Sequence, residues 1–266
     1  MTSTVSHFLI LAAQRKGVVN ALADAAGVSH KCIMPMQSRP LIEHVLSTLE
    51  GMPDAERITV AIDDPDALKG VELVESLIAE GRLKIIQSGD TLFDSIAMAL
   101  PKPEDFPVVI TTADNVLLTE DMLRHFIPNL AGVDVGVAMC QKDVLLAKYP
   151  DGQRRFHRFA DGEWSNCNLY ALTTPAALSA AEFFRGGGQF AKSLKRVMDA
   201  FGLINMIGYK FAWFARDKAM DRLSNRSGVR IKAIDMPFPE APIDVDNERT
   251  RGIAEDILIA RAAALA

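Results

Sequence analysis

Three acidic residues stand where chemistry is easiest to place. Asp114 follows the apolar run Pro107-Val108-Val109-Ile110-Thr111-Thr112, so it sits just past the end of a buried strand. In an open α/β sheet that is where ligands and metals gather. Asp244 and Asp246 alternate in Pro242-Ile243-Asp244-Val245-Asp246-Asn247-Glu248, and residues two apart in an extended segment share a face. Asp114 and Asp246 are 132 positions apart (246 − 114), so nothing local pairs them. Two carboxylates opening on one cleft repel each other unless a cation lies between them. The plainer alternatives are a helix N-cap for Asp114 and a helix start that complements its dipole for the pair.

Basic and small residues form further candidate sites. The loop Leu11-Ala12-Ala13-Gln14-Arg15-Lys16-Gly17 follows an apolar strand and can offer backbone N–H groups to phosphates. Arg15 and Lys31 can neutralise a triphosphate, although the plainer reading of the loop is a solvated surface with ordinary basic residues. In Gln87-Ser88-Gly89-Asp90-Thr91-Leu92-Phe93-Asp94-Ser95 a glycine turn feeds a helix capped by Thr91. Arg154-Arg155-Phe156-His157-Arg158 and Trp164 to Tyr170 form a basic hairpin, which is either exposed surface or part of a second substrate's site. Lys192 and Lys195, after Gly186-Gly187-Gly188, share a helix face and can reach an anion.

The elements that must position these residues alternate. Strands are expected at 7–12, 57–62, 83–86, 107–112 and 134–139. Helices are expected from Pro40, over 68–79, from Thr91 to Leu100, and at 120–126. The stretch from Ala13 to Arg39 shows no clear period. After Pro150 two strands flank Asp161-Gly162. Helices follow near 176–184, 189–201 and 216–227, then a strand at 230–234 and a closing helix from Asn247 to Ala264. This order predicts an α/β fold, a mostly parallel (mixed) sheet with helices on both faces. We expect a single domain over 1–266, in which the second half, from about residue 151, completes the sheet and supplies one side of a cleft.

Composition narrows the function. The 266 residues carry 29 Lys+Arg against 34 Asp+Glu, a net charge of −5, which argues against a nucleic-acid-binding surface. Cys32, Cys140 and Cys167 lie far apart, so a zinc or redox motif is not expected and a reducing cytoplasm is. No transmembrane run is expected. Gly-x-Ser-x-Gly, Walker A and Gly-x-Gly-x-x-Gly motifs do not occur, which argues against hydrolase, P-loop kinase and ordinary dehydrogenase readings.

Leu11-Ala12-Ala13, then Lys31, then Pro35-Met36-Gln37-Ser38-Arg39-Pro40-Leu41-Ile42 resemble the opening of the MobA-like and sugar-phosphate nucleotidyltransferase superfamily. The phosphate loop departs from the family in its glycines, of which only Gly17 remains, and the spacing from Arg15 to Lys31 is longer. The closing Asp-Ile/Val-Asp-Thr-Pro of the family reads Asp244-Val245-Asp246-Asn247-Glu248 here. The resemblance implies a GT-A-like nucleotide-diphospho-sugar transferase architecture, with a nucleotide-binding half to about residue 150 and an acceptor-binding half from about 151. It implies transfer of an NMP from an NTP to a phosphorylated small-molecule acceptor, with release of pyrophosphate. Leu11, Ala12, Ala13, Gln14, Gly17, Gly89, Thr91 and Ser95 would bind the nucleotide, and Arg15 and Lys31 would act on the triphosphate. Asp114 and Asp246, with Asp244 as an alternative ligand, would hold Mg²⁺ or Mn²⁺. Arg155, Asn168 and Lys192 would meet the acceptor. A hexacoordinate Mg²⁺ with Mg–O distances of about 2.1 Å would need carboxyl groups roughly 4–6 Å apart. A glycosyltransferase on the same fold is the rival enzyme, and it would show Asp-x-Asp where this chain has Asp114-Asn115-Val116. A non-catalytic nucleotide-binding module is the other rival.

Overall fold

The computed structural model describes residues 5–14, 20–178 and 208–265. Arg15, Gly17, Lys192, Lys195 and the glycine run at 186–188 lie outside the described residues, as do most of the helix expected at 176–184 and all of that at 189–201. Strand β1 (His7–Leu11) lies between two parallel neighbours. Phe8, Leu9 and Ile10 have no exposed surface, as expected of a strand covered on both faces, which reads as a nearly continuous apolar run. The hairpin β2 (Pro35–Met36) and β3 (Arg39–Pro40) forms a separate small sheet. Strands β4 (Arg57–Ile62) and β5 (Leu83–Gln87) extend the main sheet on one side of β1. On the other side come β6 (Val108–Thr112), then the long β9 (Gly162–Leu172), β7 (Val135–Gln141) and β10 (Ile231–Asp235), while β8 (His157–Phe159) pairs with β9. β9 runs antiparallel to β6, β7 and β8, and the other pairings of this eight-stranded sheet are parallel.

Helices cover both faces, as the alternation along β1 shows. Phe8 and Ile10 join a core with α2 (Leu41–Glu50), which buries Ile42, Val45, Leu46 and Leu49 at helical spacing. Leu9 points the other way, into a core with Ile96 and Ala99 of α4 (Leu92–Ala99). Helices α5 (Glu120–Phe126), α7 (Arg216–Ser227) and α8 (Glu248–Leu265) lie close to their expected spans, and α3 (Glu72–Ala79) starts later than expected.

Four segments differ from expectation. The helix predicted over 68–79 begins only at Glu72, because the chain first makes a 3-10 turn at Pro65–Leu68 and passes through Gly70 at φ +79°. The unpatterned stretch after Ala13 holds α1 (Ala21–Ala25), a 3-10 turn at Lys31–Ile33 and the β2–β3 hairpin. Helix α6 (Lys142–Lys148) follows β7 directly and is too short to show a period. Residues 243–247 form no strand, and 245–247 bend directly into α8. None of the helices searched among the described residues is long and apolar enough to cross a membrane.

Candidate active site

The site forms where the parallel strands β1, β4 and β6 end, and their register aligns Leu11 with Ala61 and Thr112. Asp114 follows β6 by two residues, and its backbone carbonyl accepts from Val245 N–H at 3.2 Å. That bond joins two segments far apart in sequence. A small core supports it: Met34 and Met36 after Lys31, Val116 and Leu117 after Asp114, Ile243 and Val245 around Asp244, and Ala254 and Ile257 of α8. Each functional loop thus contributes apolar neighbours to one cluster, and burying them together fixes the polar residues between them.

The three carboxylates converge. Asp114, Asp244 and Asp246 each offer one oxygen, and these oxygens lie within 4.8 Å of one another. The convergence comes from a bend, not from alternation along a strand. Asp246 N–H donates to the Asp244 carbonyl at 3.1 Å and to Thr250 Oγ1 at 3.1 Å. Asn247 Oδ1 in turn accepts from Thr250 N–H at 3.2 Å, so Asn247 and Thr250 cap α8 reciprocally and set the course of Asp246. The Asp114 side chain is 13% exposed and that of Asp246 is 62% exposed, so one forms the floor and the other the rim.

Lys31 completes the cluster from its 3-10 turn. Its Nζ donates to Asp114 Oδ2 and lies 3.2 Å from Asp246 Oδ1. Burial works against its charge, but Asp114 and then Asp246 outweigh burial and raise the ammonium above the ordinary lysine value. Burial, together with the charges of Asp246 and Asp114, pushes the Asp244 carboxyl up to about 7, with Lys31 opposing. Asp114 Oδ1 and Thr112 Oγ1 are buried without a hydrogen-bond partner. Orphaned oxygens beside crowded carboxylates fit a divalent cation with oxygen ligands.

Asn168 joins this cluster from β9. β9 has three residues, Cys167 to Leu169, where β7 has only Ala138, and Asn168 adopts φ +48° in the bulge. Its Nδ2 donates to Asp244 Oδ2. Its own backbone is held by Asn166 Oδ1, which accepts from Asn168 N–H at 3.0 Å, and by Thr111 Oγ1, which donates to the Asn168 carbonyl at 3.0 Å. Buried Asn115 extends the network, donating to Thr111 Oγ1 at 3.1 Å and to the Cys167 carbonyl at 3.3 Å. Thr111, Asn115, Asn247 and Thr250 were not singled out in the sequence. Their only sequence signal is polar residues beside the candidate carboxylates.

The other candidates are placed as follows. Leu11 and Ala12 end β1, and Ala12 N–H continues the ladder to the Ala61 carbonyl at 2.9 Å. Ala13 is exposed. Gln14 N–H donates to Asp63 Oδ1 at 2.9 Å and its Nε2 to the Ser29 carbonyl at 2.8 Å, leaving Oε1 buried and unpaired. His30 Nε2 lies 3.4 Å from Asp63 Oδ2, so Asp63 links the loop to the residue before Lys31. Gly89 N–H donates to Ser95 Oγ at 3.0 Å, Ser95 Oγ donates to the Thr91 carbonyl, and Thr91 Oγ1 caps Asp94 N–H. A Cβ on Gly89 would lie 2.5 Å from Asp94 Cβ, so this turn requires glycine. Arg155 is exposed ahead of β8, with its N–H 3.4 Å from Gln153 Oε1.

Fold and site together define an α/β protein of the nucleotide-diphospho-sugar transferase fold. The sequence profile of the MobA-like NTP transferase domain matches residues 22–194, and the chain belongs to that family. The match takes in Lys31, Gly89, Asp114 and Asn168, while Asp244 and Asp246 lie beyond it. None of the curated proteins compared with the chain matches it. Among solved structures, a hypothetical transferase from Thermus thermophilus superposes with a TM-score of 0.75 at 20% identity, covering 93% of this chain and 99% of that one. The 4-diphosphocytidyl-2C-methyl-D-erythritol synthase of Anaerococcus prevotii superposes at 0.57 and 11% identity, with 95% of each chain covered. A CMP:2-keto-3-deoxy-manno-octonic acid synthetase complexed with CTP superposes at 0.57 and 13% identity, covering 97% of this chain and 99% of that one.

Proposed function

We propose that the protein is a nucleotidyltransferase that moves an NMP from an NTP to a phosphorylated small molecule, a sugar, polyol or cofactor phosphate, and releases pyrophosphate. The observation that carries this reading is the gathering of Asp114, Asp244 and Asp246 around Lys31, with Asp114 Oδ1 buried and unpaired. Asp114 and Asp246, with Asp244 behind them, would hold Mg²⁺ or Mn²⁺. When bound, the cation would neutralise charge on the α-phosphate and align it.

The residues of this chain then divide the remaining work. An acceptor phosphate oxygen attacks the α-phosphorus, a P–O bond forms, and the bond to the β-phosphate's bridging oxygen breaks. The attacking oxygen is already anionic near neutral pH, so little base assistance is needed and positioning with charge neutralisation dominates. Lys31 and Arg15 would take up charge on the triphosphate and on the departing pyrophosphate. The loop from Leu11 to Gly17 would hold phosphates, and Gly89, Thr91 and Ser95 would frame the nucleoside. Arg155, Asn168 and Lys192 belong to the acceptor half in this reading. Asn168 would act at least in part through the Asp244 carboxylate that it bonds.

A thermal-shift panel of ATP, CTP, GTP and UTP with Mg²⁺ tests the proposal, because a ligand that binds only the native state raises the melting temperature. One nucleotide should raise the midpoint clearly more than the others, and Asp114→Asn should remove the metal-dependent part of the shift. No shift with any NTP would refute the reading.

A further inference from the structure

Asp114 and Asp246, the two carboxylates proposed to hold a divalent cation, already share a positive charge of the chain's own. The Lys31 ammonium donates to Asp114 Oδ2 and to Asp246 Oδ1, and it therefore bridges the floor and the rim of the cluster. Mg²⁺ takes near-octahedral oxygens at about 2.1 Å. An ammonium hydrogen-bonded to the same two side chains competes with the ion for their lone pairs and for the space between them. The backbone beneath Lys31 is fixed, since Cys32, Met34 and Met36 are buried, so only the four-carbon side chain is free to move. The side chain is 18% exposed, and leaving two carboxylates without a new anionic partner would be strongly unfavourable. A triphosphate supplies such a partner.

We propose that Lys31 is a resident counter-ion of the carboxylate site, and that a divalent cation takes the site as the Lys31 ammonium transfers to the phosphates of an incoming NTP. This inference rests on the nucleotidyl-transfer reading and adds an exchange to it. Metal alone binds weakly, because Lys31 holds two of its ligands. NTP alone binds weakly, because Lys31 is held by the carboxylates. Together each releases Lys31 for the other, so their affinities are coupled, and the coupling is reciprocal.

The test is Mn²⁺ binding to the full chain without nucleotide, followed by the EPR signal of free Mn²⁺. Lys31→Met and Lys31→Gln both remove the charge and keep a side chain of similar reach, so either one carries the test if the other fails to fold. Both should bind Mn²⁺ about ten- to a hundredfold more tightly than the native protein, the range expected for loss of a charge-assisted contact. Lys31→Arg, which keeps the charge, should bind as weakly as the native protein. Adding Asp114→Asn to Lys31→Met should abolish the gain. Equal or weaker Mn²⁺ binding by both neutral variants would overturn the exchange. If turnover still required Mn²⁺ and Asp114, the nucleotidyl-transfer reading would stand without it. Mn²⁺ binding and turnover that are both indifferent to Asp114 would overturn the two together.

Discussion

Asn168 is the residue whose replacement separates two effects most cleanly. It occupies the left-handed region at φ +48°, and its amide donates to Asp244. Asn168→Ala loses a hydrogen bond to a carboxylate, worth about 1.5–3 kcal/mol, while retaining a Cβ in a conformation that disfavours one. Asn168→Gly loses the same bond and removes the Cβ. The left-handed penalty of about 1–2 kcal/mol is then relieved, less about 0.4–1 kcal/mol for the greater freedom of an unfolded glycine. Both variants should therefore be destabilised, Ala by about 2–4 kcal/mol and Gly by roughly 1 kcal/mol less. In a chain of this size the two should melt about 2–4 °C apart, with Gly higher. Denaturant unfolding measured alongside the melts gives the free energies directly. If Asn168→Ala is as stable as Asn168→Gly, the bulge does not hold this residue left-handed. If neither variant differs from the native protein, the bond to Asp244 contributes nothing.

Gly89→Ala brings a Cβ to 2.5 Å from Asp94 Cβ and 2.9 Å from the Asp94 backbone carbon, so the start of α4 must shift. We expect a loss of about 1–3 kcal/mol with weaker NTP binding, and an unchanged melt would contradict the tight turn. Ile243 is fully buried among the loops that carry the three carboxylates, and Ile243→Ala should lower stability by about 2–5 kcal/mol, read by denaturant unfolding. A loss below 1 kcal/mol would show that this cluster does not hold the loops together. His7 is buried, with Nδ1 bonded to the Asp105 carbonyl and Nε2 to Thr59 Oγ1, and burial lowers its pKa. Its neutral form contributes stability that is complete above the unfolded value of about 6.5 and is lost as pH falls through the lower folded value. Unfolding free energy of the native protein should therefore fall more steeply below pH 6.5 than that of His7→Gln, and parallel curves would refute the assignment.

The parts of the fold legible in sequence were those with strong local patterns. β1 and β6 are buried on both faces, so their apolar runs are unbroken, and α5 and α7 begin and end at Glu120, Phe126, Arg216 and Ser227 as expected. The Thr91 cap was legible because its hydroxyl and Asp94 have capping-box spacing. The β2–β3 hairpin was not, because its two-residue turn places Gln37 and Ser38 at positive φ without the usual Asn-Gly signal. The bulge at Asn168 was not legible either, since it arises from pairing with β7 at long range. Asp114, Asp244 and Asp246 were legible as residues, but the bend that gathers them depends on Thr250 and on the bond from Val245 to Asp114. Asn168 was expected beside the acceptor, and the structure places its amide on Asp244.

Nucleotidyl transfer is tested most directly by ³¹P NMR of the protein with its best-binding NTP, Mg²⁺ and a pool of sugar, polyol and cofactor phosphates. Inorganic pyrophosphate and a new diphosphate diester should appear in equal amounts, with both signals lost in Asp114→Asn. Orthophosphate or an NDP in place of pyrophosphate, or an Asp114→Asn protein as active as the native one, would contradict it.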